Sequence, residues 1–351
     1  HMEGTPAQVE RAENYVHFIR QQRVGPVTVD VSSNERADFG ALDVPRDCIG
    51  FVMGRGGQTL RSMEEEWGVL MFFANVITDD DDDDQDDAHG EEEGARVLEN
   101  RRDQDDQSAK RKKGKERLCI FGPLRARRGA ELKCMSAVEH KHPGHCVDFD
   151  KDELKPIKRV KGDESDDFDV DSVPLQEDDF SYALGAQGTT RKKLAAAAGC
   201  IIEYVGRLAC FAGNRQERLR GRDYLRWLLD QRTGQSRVVE PERREDCLIV
   251  TVPSSAVAYL TGFRGESLRN IEKTSATFCF TERQNAEPRD GETEERLLIF
   301  SHSRASREHA RDIVLQRVDD HQRGGRPRDD DDYYRRGDSR DRRDYRRSSR
   351  G

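Results

Sequence analysis

The segment VPRDCIGFVMGRGGQTLRSMEEEWGVLMF (Val44–Phe72) recurs without a gap as VPSSAVAYLTGFRGESLRNIEKTSATFCF (Val252–Phe280). A chain that repeats itself in register is built of repeated structural units, so the period limits the fold before any one element is assigned. In both copies a proline stands nine residues before the first glycine of a GxxG turn: Pro45 before Gly54, Pro253 before Gly262. Beyond the turn, Leu60 and Met63 correspond to Leu268 and Ile271. A weaker copy lies between them, FSYALGAQGTTRKKLAAAAGCIIEYV (Phe180–Val205). It carries Gly185 and Gly188 in the same frame, with Leu194 at the Met63 position and Arg191 at the Leu60 position.

Each copy continues into a short apolar run: RLCIFG (Arg117–Gly122), RLACFAG (Arg207–Gly213) or RLLIFS (Arg296–Ser301). A helical pattern follows over Pro123–His142, Arg215–Arg232 or Arg304–Val318. Each copy thus reads strand, helix, GxxG turn, helix, strand, strand, helix. In the first, the spacing predicts a strand ending at Val44, helices over Arg46–Met53 and Gln58–Glu66, and a strand over Val69–Val76. Helices set apart from a small sheet predict an α+β sandwich with helices on one face. AENYVHFIRQQRVG (Ala12–Gly25) resembles GRDYLRWLLDQRTG (Gly221–Gly234), pairing Tyr15 with Tyr224 and Phe18 with Trp227. The expectation is that the chain opens on the last helix of a preceding copy within a longer protein.

The chemistry is concentrated at the turn. Gly54 and Gly57 permit positive φ where a side chain would clash. The following helix points free N–H groups and a positive dipole end at the turn, which suits an anion. Arg55 and Arg264 add guanidinium donors for phosphate oxygens. Ile49, Val52, Met53 and Leu60 offer an apolar floor for unstacked bases, so the groove suits single strands.

These residues resemble a known family: IGFVMGRGGQTLRSME is similar to the IGxxIGxxGxxI core of the type I K-homology (KH) domain. The resemblance covers three copies, about two-thirds of the chain. It implies a three-stranded sheet with three helices per copy, and a groove for about four nucleotides of single-stranded RNA or DNA. Carried over, the clamp is Gly54, Arg55, Gly56 and Gly57, flanked by Ile49, Gly50, Met53 and Leu60. In the third copy it is Gly262, Phe263, Arg264 and Gly265, with Leu268. The middle copy departs from the pattern. Gly185, Ala186, Gln187 and Gly188 hold no basic residue; Arg191, Lys192 and Lys193 follow, and Asp178 and Asp179 precede. Its alternative role is a packing or protein-contact module.

Charge argues locally. The net charge is -9, yet 79–106 is strongly acidic while 109–117 and 323–350 are rich in basic residues. Charged residues make up 37% of the chain, too many for one large globule, and fit small folded pieces joined by charged segments. The expected organisation is a helix over 1–25 and a first copy over 26–147, with a disordered acidic and basic insert at about 78–116. A charged, flexible linker over 148–168 follows. A second copy spans 169–234, a third 245–321, and a disordered Arg/Asp-rich tail 322–351. His1-Met2 reads as a cloning remnant.

No apolar run reaches membrane length, since LAAAAGCII (Leu194–Ile202) is too short, so no membrane partner is expected. The eight cysteines include no CxxC pair and read as reduced thiols of a cytosolic or nuclear protein. Cys134, His140, His142, His145 and Cys146 match no common zinc spacing, so neither metal nor cofactor is expected. The turns fit neither GxxxxGK[ST] nor GxGxxG, and no nucleophile–His constellation stands out, so no enzyme is expected. The expected function is single-stranded RNA binding in post-transcriptional regulation of mRNA. The alternative is a scaffold inside a ribonucleoprotein, with protein partners at the middle copy and the tail.

Overall fold

The computed structural model describes residues 3–31, 38–77, 115–157, 167–233, 238, 240–282 and 294–324. Nearly all of the expected insert (78–114), the middle of the linker (158–166) and most of the tail (325–351) lie outside the described residues.

The chain begins with α1 (Pro6–Gln22) and β1 (Thr28–Asp30). The first copy follows as β2 (Phe39–Leu42), α2 (Arg46–Met53), α3 (Gln58–Trp67), β3 (Leu70–Ile77), β4 (Lys115–Phe121) and α4 (Leu124–Lys141). Two short strands come next, β5 (Val147–Asp148) and β6 (Glu153–Leu154). The second copy is β7 (Asp169–Pro174), α5 (Glu177–Leu184), α6 (Thr189–Ala198), β8 (Ile201–Val205), β9 (Leu208–Gly213) and α7 (Arg215–Thr233). The third is β10 (Cys247–Pro253), α8 (Ser254–Thr261), α9 (Glu266–Ser275), β11 (Phe278–Glu282), β12 (Glu294–Phe300) and α10 (Arg304–Gln322). Contacts divide these elements into two compact units: His1–Leu184 with Cys200–Arg222, and Gly185–Gly199 with Asp223–Gly351.

In the first compact unit one sheet runs β1-β3-β4-β2 and another β7-β9-β8. In the second unit the sheet runs β10-β12-β11. In every copy the last strand is central and pairs antiparallel with the other two. The parallel strand β1, which pairs Thr28–Asp30 with Asn75–Ile77, is, among the described residues, an addition found on the first copy alone.

Strand periodicity explains the long apolar runs. Successive side chains leave a strand on opposite faces. From β4, Leu118 and Ile120 enter the core beneath the helices, among Cys48, Val52, Met63 and Leu132. Cys119 and Phe121 enter a second core with Phe18, Phe39, Phe72 and Val76. A strand buried on both faces has no polar alternation, as the LMFF run of β3 and the LCIF run of β4 show.

That second core is made by α1. Phe18 lies 5.6 Å from Phe72 and 5.0 Å from Phe121, and Tyr15 lies 5.8 Å from Phe121, ring to ring. The second compact unit repeats the device with the matching residues of α7. Trp227 lies 4.8 Å from Phe300, and Tyr224 5.6 Å from Phe300 and 5.8 Å from Phe278. Such ring pairs contribute about 0.5–1.5 kcal/mol each beyond area burial. Between the first two copies, Leu132, Met135 and Val138 of α4 share one core with Ile201, Val205 and Leu208.

Of the tether expected over 148–168, only 148–157 and 167–168 are described, and the first of these stretches is held to the copy before it. The Glu139 carboxylate accepts hydrogen bonds from the amides of Gly144, Cys146 and Val147, and β5 pairs with β6 within the expected linker. The start of that segment is tied to the first copy: the Lys155 amide donates to the Cys146 carbonyl, Lys155 Nζ donates to the Gly144 carbonyl, and Leu154 and Ile157 pack against the shared core.

Candidate nucleic-acid interface

The three GxxG turns share one backbone conformation. Gly54, Gly185 and Gly262 have φ of 70, 70 and 68° with ψ of 177, 170 and -177°. Their third residues, Gly56, Gln187 and Arg264, are left-handed at φ 61, 53 and 50°. The last glycines, Gly57, Gly188 and Gly265, are left-handed too, at φ 76, 73 and 79°.

The first glycine is required twice over. Its φ and ψ fall in a region essentially reserved for glycine. A Cβ on Gly54 would also lie 2.0 Å from Thr59 Oγ1 and 2.7 Å from Thr59 Cβ. The third position is less demanding: a Cβ on Gly56 meets nothing within 4 Å, which is why Gln187 and Arg264 can stand there.

The helices that follow start at these last glycines with no side-chain cap. The first amides of α3, α6 and α9 therefore carry no side-chain acceptor. With the dipole, they make three anion-receptive helix starts.

The surrounding side chains separate the copies. In the first, Arg55 and Gly56 are exposed, Gly50 and Met53 are exposed, and Ile49 is half-buried. In the third, Phe263 and Arg264 are exposed, with the Arg264 guanidinium 5.1 Å from the Phe263 ring centre. Leu268 is half-buried against the core of that copy. In the second, Ala186, Gln187 and Lys192 are exposed, while Gly188 is buried. The first turn of α5 holds Glu177, Asp178 and Asp179.

Two residues of the expected floor are placed differently. Leu60 is 7% exposed and packs in the core with Val52, which is fully buried; neither forms a floor. Apolar spacing on α2 and α3 marks the stripe that faces the sheet, and these residues are that stripe. Lys193, close behind the second loop, is spent inside its compact unit. It lies 2.9 Å from Glu272 and 5.2 Å from the Phe278 ring centre. Burial pushes the Glu272 carboxyl above the usual carboxylate range, while Lys193 and the Cys279 amide act in the other direction.

Sequence reasoning also missed a set of arginines turned onto backbone carbonyls, of which Arg127 and Arg307 are buried and Arg218 is half-buried. Arg127 donates to the carbonyls of Gly122 and Phe39, Arg218 to those of Gly213 and Asp167, and Arg307 to that of Ser301. Each closes the open end of a sheet from the start of the last helix, so these charges hold structure rather than phosphate. Their recurrence five to seven residues after the third strand was the available signal.

Around the expected His and Cys cluster, His140 stacks on Phe51, His145 Nε2 lies 3.2 Å from the Asp43 carbonyl, and Cys134 is fully buried against Met63. Among the described residues, no group of three or more His, Cys, Asp or Glu is placed to hold a metal ion. Among the same residues, no helix is long and apolar enough to cross a membrane.

Residues 41–96 match the model of the KH domain family. No curated protein matches the chain. Among solved structures, Dim2p from Pyrococcus horikoshii is similar at 12% identity, over 54% of this chain and 89% of that one, with a TM-score of 0.24. The a/eIF2alpha–aDim2p–rRNA complex from the same organism gives 13% identity, over 44% of this chain and 88% of that one, with a TM-score of 0.18. A protein of unknown function from Aeropyrum pernix gives 14%, with 43% and 83% covered and a TM-score of 0.18.

Proposed function

From a chain that carries a KH domain at residues 41–96, we propose a non-enzymatic, single-stranded RNA-binding protein with three tandem KH copies, acting in post-transcriptional regulation of mRNA. The observation that carries this is the shared loop geometry: three GxxG turns with the same left-handed backbone, each opening an uncapped helix. Phosphates sit against the loop amides, Arg55 and Arg264 neutralise them, and bases lie beside Ile49, Gly50 and Met53 in the first copy. Single strands fit because the bases of a duplex are not available to such a groove.

The first and third copies do the binding. The second serves as a packing module, a reading supported by its acidic α5 start and by Lys193 being held by Glu272. Linked weak sites raise affinity through effective concentration. Eight free cysteines fit work in the cytosol or nucleus. A ribonucleoprotein scaffold is the competing reading, favoured by the same burial at the second copy.

The test is Arg55→Asp with Gly56→Asp in the full chain. Asp tolerates the left-handed conformation at position 56, so the fold stands while two negative charges enter the clamp. Affinity for single-stranded RNA falls tenfold or more, about 1.4 kcal/mol. Unchanged affinity in a folded variant would favour the scaffold.

A further inference from the structure

The third loop differs from the first in a way the clamp does not need. Phe263 is 76% exposed, the most exposed aromatic ring among the described residues. Its counterparts in the other two loops are Arg55 and Ala186, so the turn itself does not call for an aromatic residue. The next residue, Arg264, occupies the left-handed position at φ 50°, where the first loop has Gly56. Arg264 holds its guanidinium 5.1 Å from the Phe263 ring centre, so ring and charge lie together at the loop apex.

The chemistry of this pair selects its ligand. One exposed ring is too small a patch for apolar protein docking, and the residues beside it, Thr261, Arg264 and Glu266, are polar. A flat ring backed by a guanidinium, next to the uncapped start of α9, suits a flat heteroaromatic ring joined to a phosphate. We infer that Phe263, backed by Arg264, is a stacking platform for one unpaired nucleobase, a subsite that the first and second loops lack. It rests on the proposed RNA binding. Stacking area makes a purine the better occupant of this subsite than a pyrimidine.

The experiment uses the full chain with Phe263→Ala, Phe263→Trp, and the Arg55→Asp/Gly56→Asp variant, titrated with a random-sequence single-stranded RNA pool and with an abasic oligomer of the same length. An exposed ring can be truncated without loss of packing, and an unchanged thermal melt checks this. Phe263→Ala lowers RNA affinity about five- to hundredfold, the range of a lost base stack, and leaves binding of the abasic oligomer unchanged. Phe263→Trp retains RNA affinity, and its new indole emission is quenched by RNA but not by the abasic oligomer. If Phe263→Ala binds RNA as the parent does while Arg55→Asp/Gly56→Asp binds poorly, the stacking inference fails and the clamp stands. If neither variant loses affinity, both fail together.

Discussion

Replacing Gly54 by Ala tests whether the turn depends on its first glycine. At φ 70° and ψ 177°, a non-glycine residue costs about 1–3 kcal/mol. The new Cβ also lies 2.0 Å from Thr59 Oγ1 and 2.7 Å from Thr59 Cβ. Turning the Thr59 side chain relieves only the first contact and adds roughly 0.5–1.5 kcal/mol of rotamer strain. Reduced freedom of the unfolded chain returns about 0.4–1 kcal/mol. The net loss is roughly 0.5–4 kcal/mol, centred near 2. Gly56→Ala is the control, because its Cβ enters open space. It carries only the left-handed cost of about 1–2 kcal/mol, less the same return. Urea unfolding followed by Trp67 fluorescence, with both variants compared in a Trp227→Phe background, reads the first compact unit. Gly54→Ala must be the less stable by about 1 kcal/mol or more. Equal stability of the two variants would refute the reasoning.

Lys193→Met leaves the Glu272 side chain, 3% exposed, without its charge partner, and stability drops by about 3–5 kcal/mol. The Glu272 pKa already lies above the usual carboxylate range, so its burial favours the protonated form, and stability from this group is lost as pH rises through that pKa. The deficit of Lys193→Met is therefore largest at neutral pH and shrinks on acidification; a deficit that grows on acidification contradicts this assignment. Burial pushes the thiols of Cys119, Cys134, Cys146, Cys200, Cys210 and Cys247 up to about 12 and raises Cys48 and Cys279 as well. Iodoacetamide at mildly alkaline pH then leaves the eight cysteines of the native chain unmodified and labels all of them in denaturant, as intact mass reads out. Phe18→Ala removes the ring at the centre of the α1 core and costs about 3 kcal/mol or more, visible as an earlier urea midpoint for the first compact unit.

The repeat made the local structure legible. The helix expected over Arg46–Met53 spans those residues, and the next, expected to end at Glu66, ends at Trp67. The turn geometry was legible because positive φ is a property of single residues, and glycine spacing encodes it directly. What stayed hidden depends on distant partners. The apolar period on α2 and α3 marks a buried stripe but not its limits, so Leu60 and Val52 read as floor where they are core. Lys193 reads only as one of three basic residues behind the second loop, since nothing local reveals Glu272, 79 residues on. The roles of Arg127, Arg218 and Arg307 went unread because their acceptors are backbone carbonyls, which carry no sequence signal. The segment around β5 and β6 reads as linker because its own composition is charged, while the carboxylate that orders it belongs to α4.

The most direct test of the account is an amide NMR titration of the full chain with a random-sequence single-stranded RNA pool. The account predicts that the largest shifts fall on the amides of Gly54–Gln58 and Gly262–Glu266, with Gly185–Thr189 little changed. Shifts centred away from the first and third loops, with those amides unmoved at saturation, would contradict it.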